Sequence, residues 1–161
     1  MNVFLSYAIG PSDGPIPARL RAVAAAYNIS ILLPDRTYTS PVSLSGDTLA
    51  KIMQSDAVIA LVTTTARPES RNLVNSELSH AAQSHKPVIA LMENGVPVQT
   101  APGTHLVYFD RFNPAAHESS LITALDQIRR EKWKQDLTAL GWIAGIALGL
   151  VALSQLLGED K

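Results

Sequence analysis

Residues 57–91 read AVIALVTTTARPESRNLVNSELSHAAQSHKPVIAL, and their pattern decides the fold. Ala57–Val62 is an unbroken apolar run of strand length, which implies burial on both faces, as in a parallel sheet. Asn72–Ser84 changes to helical spacing through Leu73, Leu78, Ala81 and Ala82, and Pro87–Leu91 returns to an apolar strand. Upstream, Val3–Tyr7 is an apolar run stopped by Gly10 and Pro11, and Ile29–Leu33 is another, stopped by Pro34. Between them Pro15 and Pro17 precede ARLRAVAAAY (18–27), where Leu20, Val23, Ala24 and Tyr27 recur at helical intervals. The polar stretch DRTYTSPVSLSG (35–46) leads into a short helix at Asp47–Gln54, and Leu106–Phe109 supplies a fifth strand. Strands alternating with helices predict an α/β domain over residues 1–125, a flavodoxin-like parallel sheet of four to five strands with helices on both faces. Ligands of such sheets sit beyond the carboxyl ends of the strands, so the candidate site comprises the loops Ser6–Asp13, Pro34–Gly46 and Thr63–Glu77.

A length of 161 residues suits one such domain at about 150 residues per domain. The 13 Lys and Arg against 14 Asp and Glu give a net charge of -1, which offers no grip on a polyanion, and nucleic acid is not an expected partner. Without cysteine there is no disulfide, thiolate nucleophile or Cys-ligated zinc. Charged residues make up only 17% of the chain, below the usual share of about 25%, so an apolar excess must lie somewhere.

It lies at residues 137–158, which carry no charge and whose polar members are Thr138, Ser154 and Gln155. As a helix, Leu137–Leu157 rises roughly 32 Å at about 1.5 Å per residue, enough for a hydrocarbon core of about 30 Å. A C-terminal transmembrane helix is expected; a buried terminal helix or the core of a soluble oligomer is the alternative. Arg129, Arg130, Lys132 and Lys134 precede the segment, whereas Glu159, Asp160 and Lys161 follow it, which predicts a single-pass protein of the inner (cell) membrane with its N-terminal domain cytoplasmic. Residues 126–136 then form a juxtamembrane helical linker and 159–161 a tail. MNVFLSYAIG lacks a basic start and reads as a strand rather than a signal peptide, so the expected arrangement is a tail anchor. Gly141, Gly145 and Gly149 form two overlapping GxxxG steps, a helix face suited to self-association or simply the glycine common in membrane helices.

Glu77 is the carboxylate that stands out, because Leu73, Val74 and Leu78 surround it on its helix. A carboxylate in such a setting has a raised pKa or needs a partner, whereas a solvated Glu would simply favour the helix dipole. Asp13 and Asp47 read as helix-start residues and Asp56 as a helix terminator. His80 and His85 do not have the spacing of a zinc site, and no metal is expected. There is no GxGxxG, Walker-type GK[ST] or GxSxG motif.

VFLSYAIGPSD (3–13) resembles the opening strand and loop of Toll/interleukin-receptor (TIR) domains, with an apolar run, Ser, an aromatic and a following Asp. In order, ISILLPDR resembles that family's second strand and the start of its BB loop, LSGDTLAKIMQSDAVIALVT its short helix and third strand, and SRNLVNSELSHAAQSHKPVIAL its Glu-bearing helix and fourth strand. The resemblance spans residues 1–125. It implies a domain of bacterial type that cleaves the nicotinamide–ribose bond of NAD, taken as substrate with no cofactor, and it gives Glu77 the catalytic role. It places Tyr38 against nicotinamide, Ser6 and Tyr7 near the ribose and phosphate, and Arg36 by the diphosphate or a neighbouring subunit. Tyr7 also reads as a strand-end packing residue, Tyr38 as an exposed loop aromatic and Arg36 as a solvated charge. Leu73 and Val74 stand where such enzymes often carry Trp or Cys before the Glu. The family also implies self-association through the domain, an antiphage defence role, and a product that is hydrolysed or cyclic; some members are non-catalytic adaptors. DAVIALV, SEL and AAQSHKPVIAL are also similar to nucleoside 2-deoxyribosyltransferases, which use a Glu on the equivalent helix, although the AGP-like turn of that group is missing here.

Overall fold

The computed structural model describes residues 2–14, 16–26, 29–35, 44–97 and 100–110. The elements are β1 (Asn2–Ala8), α1 (Ile16–Ala26), β2 (Ser30–Leu32), α2 (Gly46–Gln54), β3 (Ala57–Val62), α3 (Pro68–Gln83), β4 (Val88–Glu93) and β5 (His105–Phe109), with a 3-10 turn at Pro11–Asp13. All four strand pairings are parallel. The order β2-β1-β3-β4-β5 makes this a flavodoxin-like α/β sheet of five strands. Right-handed crossovers dispose the helices: the chain moves one way from β1 to β2 and the other way from β2 through β3 to β4. That rule carries α1 to one face and α2 and α3 to the other.

The α2/α3 face holds the main core, with Phe4 and Ala8 of β1, Val58, Ala60 and Val62 of β3, and Val88, Ala90 and Met92 of β4 under Ile52, Val74, Leu78 and Ala81. Side chains alternate across a strand, so Val3, Leu5 and Tyr7 of β1 and Ile59 and Leu61 of β3 face the other way, and all are buried. Burial on both faces accounts for the unbroken apolar run of β3.

Most element boundaries shift by one or two residues from those read in the sequence, and two of the differences have a clear local cause. α3 starts at Pro68, four residues before Asn72, because a proline with fixed φ is already shaped for the first helical turn, entered from the extended Arg67. β2 is shorter than Ile29–Leu33. The Ile29 amide donates to the Ala24 carbonyl at 3.1 Å, closing the end of α1, and the Leu33 carbonyl accepts from Lys51 Nζ at 3.1 Å. Both groups are thereby drawn from the strand ladder. No helix among the described residues is long and apolar enough to cross a membrane. The expected linker and span at 126–158, with Gly141, Gly145 and Gly149, lie outside the described residues.

The C-terminal end of α3 explains one histidine. His85 has φ 55, the left-handed conformation usually taken by glycine, and its amide donates to the Ala82 carbonyl while the Lys86 amide donates to that of Ala81, both at 3.0 Å. This is a Schellman closure with a side chain where none is needed. Replacing His85→Gly removes the steric penalty and is expected to stabilise the protein by about 0.5–1 kcal/mol, read as a higher urea midpoint at unchanged slope.

Candidate functional site

The stripe of α3 that faces the sheet consists of Ser70, Val74, Glu77, Leu78 and Ala81, the spacing of a buried helical face. Glu77 is therefore set by helical phase in the middle of an apolar contact and is 0% exposed. Opposite it on β1 is Ser6, also 0% exposed, whose Oγ donates a hydrogen bond to Glu77 Oε2. The sheet makes room for the carboxylate: Ser6 is in register with Ala60, and Ala60 with Ala90, so a row of small side chains crosses three strands at this level.

The structure thus brings together two residues that the sequence reading assigned to one site. Tyr7 is the next residue along β1, so its side chain lies on the opposite face, buried to 8% exposure. It shares no face with Ser6 and Glu77. Arg36 and Tyr38 lie outside the described residues. His80 is half-buried near the end of α3, and among the described residues no three His, Cys, Asp or Glu side chains gather into a metal site.

Between the carboxyl ends of β1 and β3, where the strand order reverses, is a cluster that sequence reasoning missed. Asp13, 2% exposed, accepts from Thr63 Oγ1 at 2.9 Å and from Thr65 Oγ1 at 2.7 Å. The intervening Thr64 faces the other way, donating to Glu93 Oε2 through its amide at 2.6 Å and its hydroxyl at 2.9 Å. Three consecutive threonines therefore tie the end of β3 to carboxylates on both neighbouring strand ends. Asp13 does belong to a helical start, in the 3-10 turn before α1, but its side chain works across 50 residues of sequence. The one available signal was the alternation of Thr63, Thr64 and Thr65 directly after the most apolar strand. The other two acids remain close to their expected places. Asp47 sits in the first turn of α2, whose N-cap is Ser45, and Asp56 lies between the Ser55 C-cap of α2 and the start of β3, its Oδ2 accepting from the Asn2 amide at 2.8 Å.

Gly10 allows these two loops to meet. A Cβ at that position would fall 2.5 Å from Thr65 Oγ1 and 2.7 Å from Thr65 Cβ, closer than atoms tolerate. Comparison with protein-family models and with curated proteins gives no match for this sequence.

Gly10→Ala forces the β1 and β3 loops apart and is expected to cost roughly 1–3 kcal/mol, the usual range for overpacking. Asp13→Ala takes the acceptor from the buried Thr63 hydroxyl and from the exposed Thr65 hydroxyl, with an expected loss of about 1–3 kcal/mol. Both are read from denaturant midpoints, and a change under 0.5 kcal/mol (about the level of an ordinary surface substitution) in either variant would contradict the clamp.

Proposed function

We propose that this chain is a TIR-like enzyme that cleaves the nicotinamide–ribose bond of NAD. Glu77 is its working carboxylate, in a cytoplasmic domain tethered to the cell membrane by residues 137–158 and dependent on self-association. The observation that carries this reading is the sealed carboxylate of Glu77, oriented by Ser6 within a sheet of flavodoxin-like order. An apolar helix stripe gains nothing from a buried carboxyl group unless the group does something there, and strongly enclosed carboxylates cluster at functional sites.

The chemistry asks little of the protein. When the C1′–N bond breaks, its electron pair neutralises the cationic pyridinium and nicotinamide leaves neutral, so no general acid is needed. The ribose becomes an oxocarbenium-like cation, and a carboxylate in a water-poor setting opposes that charge far more strongly than one in bulk solvent. Water then adds to C1′ and releases a proton, giving ADP-ribose; attack by another group of the substrate gives a cyclic product. Ser6 holds the carboxylate by donating to one oxygen. Further support comes from Ser70, on the same stripe about 10 Å nearer the start of α3, whose buried hydroxyl has no hydrogen-bond partner and suits a polar ligand.

Complete burial also describes a resting state. Substrate reaches Glu77 only when what covers it is displaced, and in this proposal self-association supplies that displacement. The same burial favours a second reading, a non-catalytic assembly module in which Ser6 and Glu77 merely fix α3 on β1.

The readings separate in the full-length protein by assay of nicotinamide release from NAD. Glu77→Gln keeps an acceptor for Ser6 and is expected to lower release by about 100-fold or more, with the melting temperature little changed. Absence of release from the wild type under conditions of self-association, together with a functional Glu77→Gln protein, would leave only the assembly module. Flotation with lipid vesicles tests the tether: the full chain should float and a chain ending at residue 136 should not, whereas flotation of both would place the membrane contact elsewhere.

A further inference from the structure

The flank of α3 turned away from Glu77 borders a cleft that the proposed chemistry leaves unused. Its volume is about 160 Å³, with Val62, Met92 and Val96 as buried apolar lining and Arg71, Asn72 and Asn75 from α3 at its less buried edge. At about 100° per residue these three positions lie roughly 120–160° around the helix from Glu77, so the cleft and the carboxylate are separate features.

Arg71 is the informative residue. Its Nη2 donates to the Thr64 carbonyl at 2.8 Å, which anchors the guanidinium over the β3 end. Its Nε is enclosed and has no hydrogen-bond partner, and no carboxylate among the described residues pairs with it. Glu93, the acid that binds the same Thr64, is engaged there through two hydrogen bonds. An enclosed N–H of a cation left without an acceptor is costly, and a planar anion offering two oxygens is what a guanidinium edge accommodates best. The apolar lining calls for a hydrocarbon or aromatic body behind that anion. A cavity of about 150 Å³ holds a benzene ring, which sets the scale of the body. We propose that this cleft binds a small organic carboxylate, its carboxyl group on Arg71, its apolar body on Val62, Met92 and Val96, and the carboxamides of Asn72 and Asn75 at the mouth. The site stands whether or not Glu77 performs chemistry.

The test uses the full-length protein titrated with benzoate, and with benzamide as its neutral counterpart of the same shape, by calorimetry or ligand-observed NMR. Wild type should bind benzoate at least tenfold more tightly than benzamide. Arg71→Gln should weaken benzoate binding at least tenfold and erase the preference. Asn72→Trp, a substitution on an exposed helical position that blocks the mouth, should weaken both ligands while leaving the melting temperature near that of wild type. Equal affinity for the two ligands, no measurable benzoate binding by wild type, or unchanged benzoate affinity in both variants would each overturn the proposal.

Discussion

A carboxyl group enclosed by apolar side chains is tolerated only where a donor meets it, and in this fold a hydroxyl on the first strand, that of Ser6, is such a donor. The Ser6–Glu77 contact fixes which flank of α3 looks toward β1, because the helix cannot rotate without leaving an acid facing Val58, Val88 or Phe4. The row Ser6, Ala60, Ala90 has the same consequence from the sheet side: small side chains at one level let the helix approach and leave space for a polar group of Glu size. Such pairs are poor contributors to stability, since well-packed apolar residues of similar volume usually do as well or better. What the pair supplies is direction, one orientation of one helix with an acid group at a defined place.

The carboxyl ends of the strands are held by a different kind of chemistry. Thr63 and Thr65 turn toward Asp13, Thr64 turns toward Glu93, and the Arg71 guanidinium caps the Thr64 carbonyl. The chain turns here, the Ala66 amide donating to the Thr63 carbonyl at 3.2 Å, and the turn lets three hydroxyls in a row reach two acids on two sides at once. This stitching braces the loop that leads into α3, whose start Pro68 sets, and so helps hold Glu77 in its buried phase and Arg71 beside its cleft. The two flanks of the helix are therefore positioned by the same few hydrogen bonds.

Much of this was legible in the sequence, and the rest was hidden for definable reasons. Val3–Tyr7, Ala57–Val62 and Pro87–Leu91 announced buried strands because parallel strands covered on both faces contain little else than apolar residues. Glu77 stood out because an acid among Leu73, Val74 and Leu78 breaks a helical pattern, whereas Ser6 entered the same site only through the family resemblance, and its direct bond to Glu77 was not foreseen. The start of α3 was misplaced because Pro68, Glu69, Ser70 and Arg71 carry no apolar periodicity; the proline and the extended residue before it start the helix. The role of Asp13 was invisible because its partners are about fifty residues away, and a local reading assigns an acid before a helix to capping. Tyr7 shows the limit of reading neighbours together, since alternation along a strand sends it to the opposite face from Ser6.

Complete enclosure of Glu77 bears on how the proposed enzyme would be controlled. A ligand that binds only an opened form has its affinity reduced by the fraction of molecules open, so a site closed in all but one molecule in a thousand binds about a thousandfold more weakly than its contacts would give. Such a penalty, about 4 kcal/mol, is within reach of association between tethered copies: a flexible tether to a common surface raises local concentration into the millimolar range without any new contact. Restricting the domain to two dimensions and keeping its acid covered are then complementary devices. In the proposed enzyme the cover would keep isolated copies from consuming NAD, and the tether would let a modest contact energy between copies suffice to uncover the acid. In a freely diffusing domain the same cover would demand a much stronger interface, which is why, within the proposed function, the apolar C-terminal segment and the buried carboxylate belong to one argument.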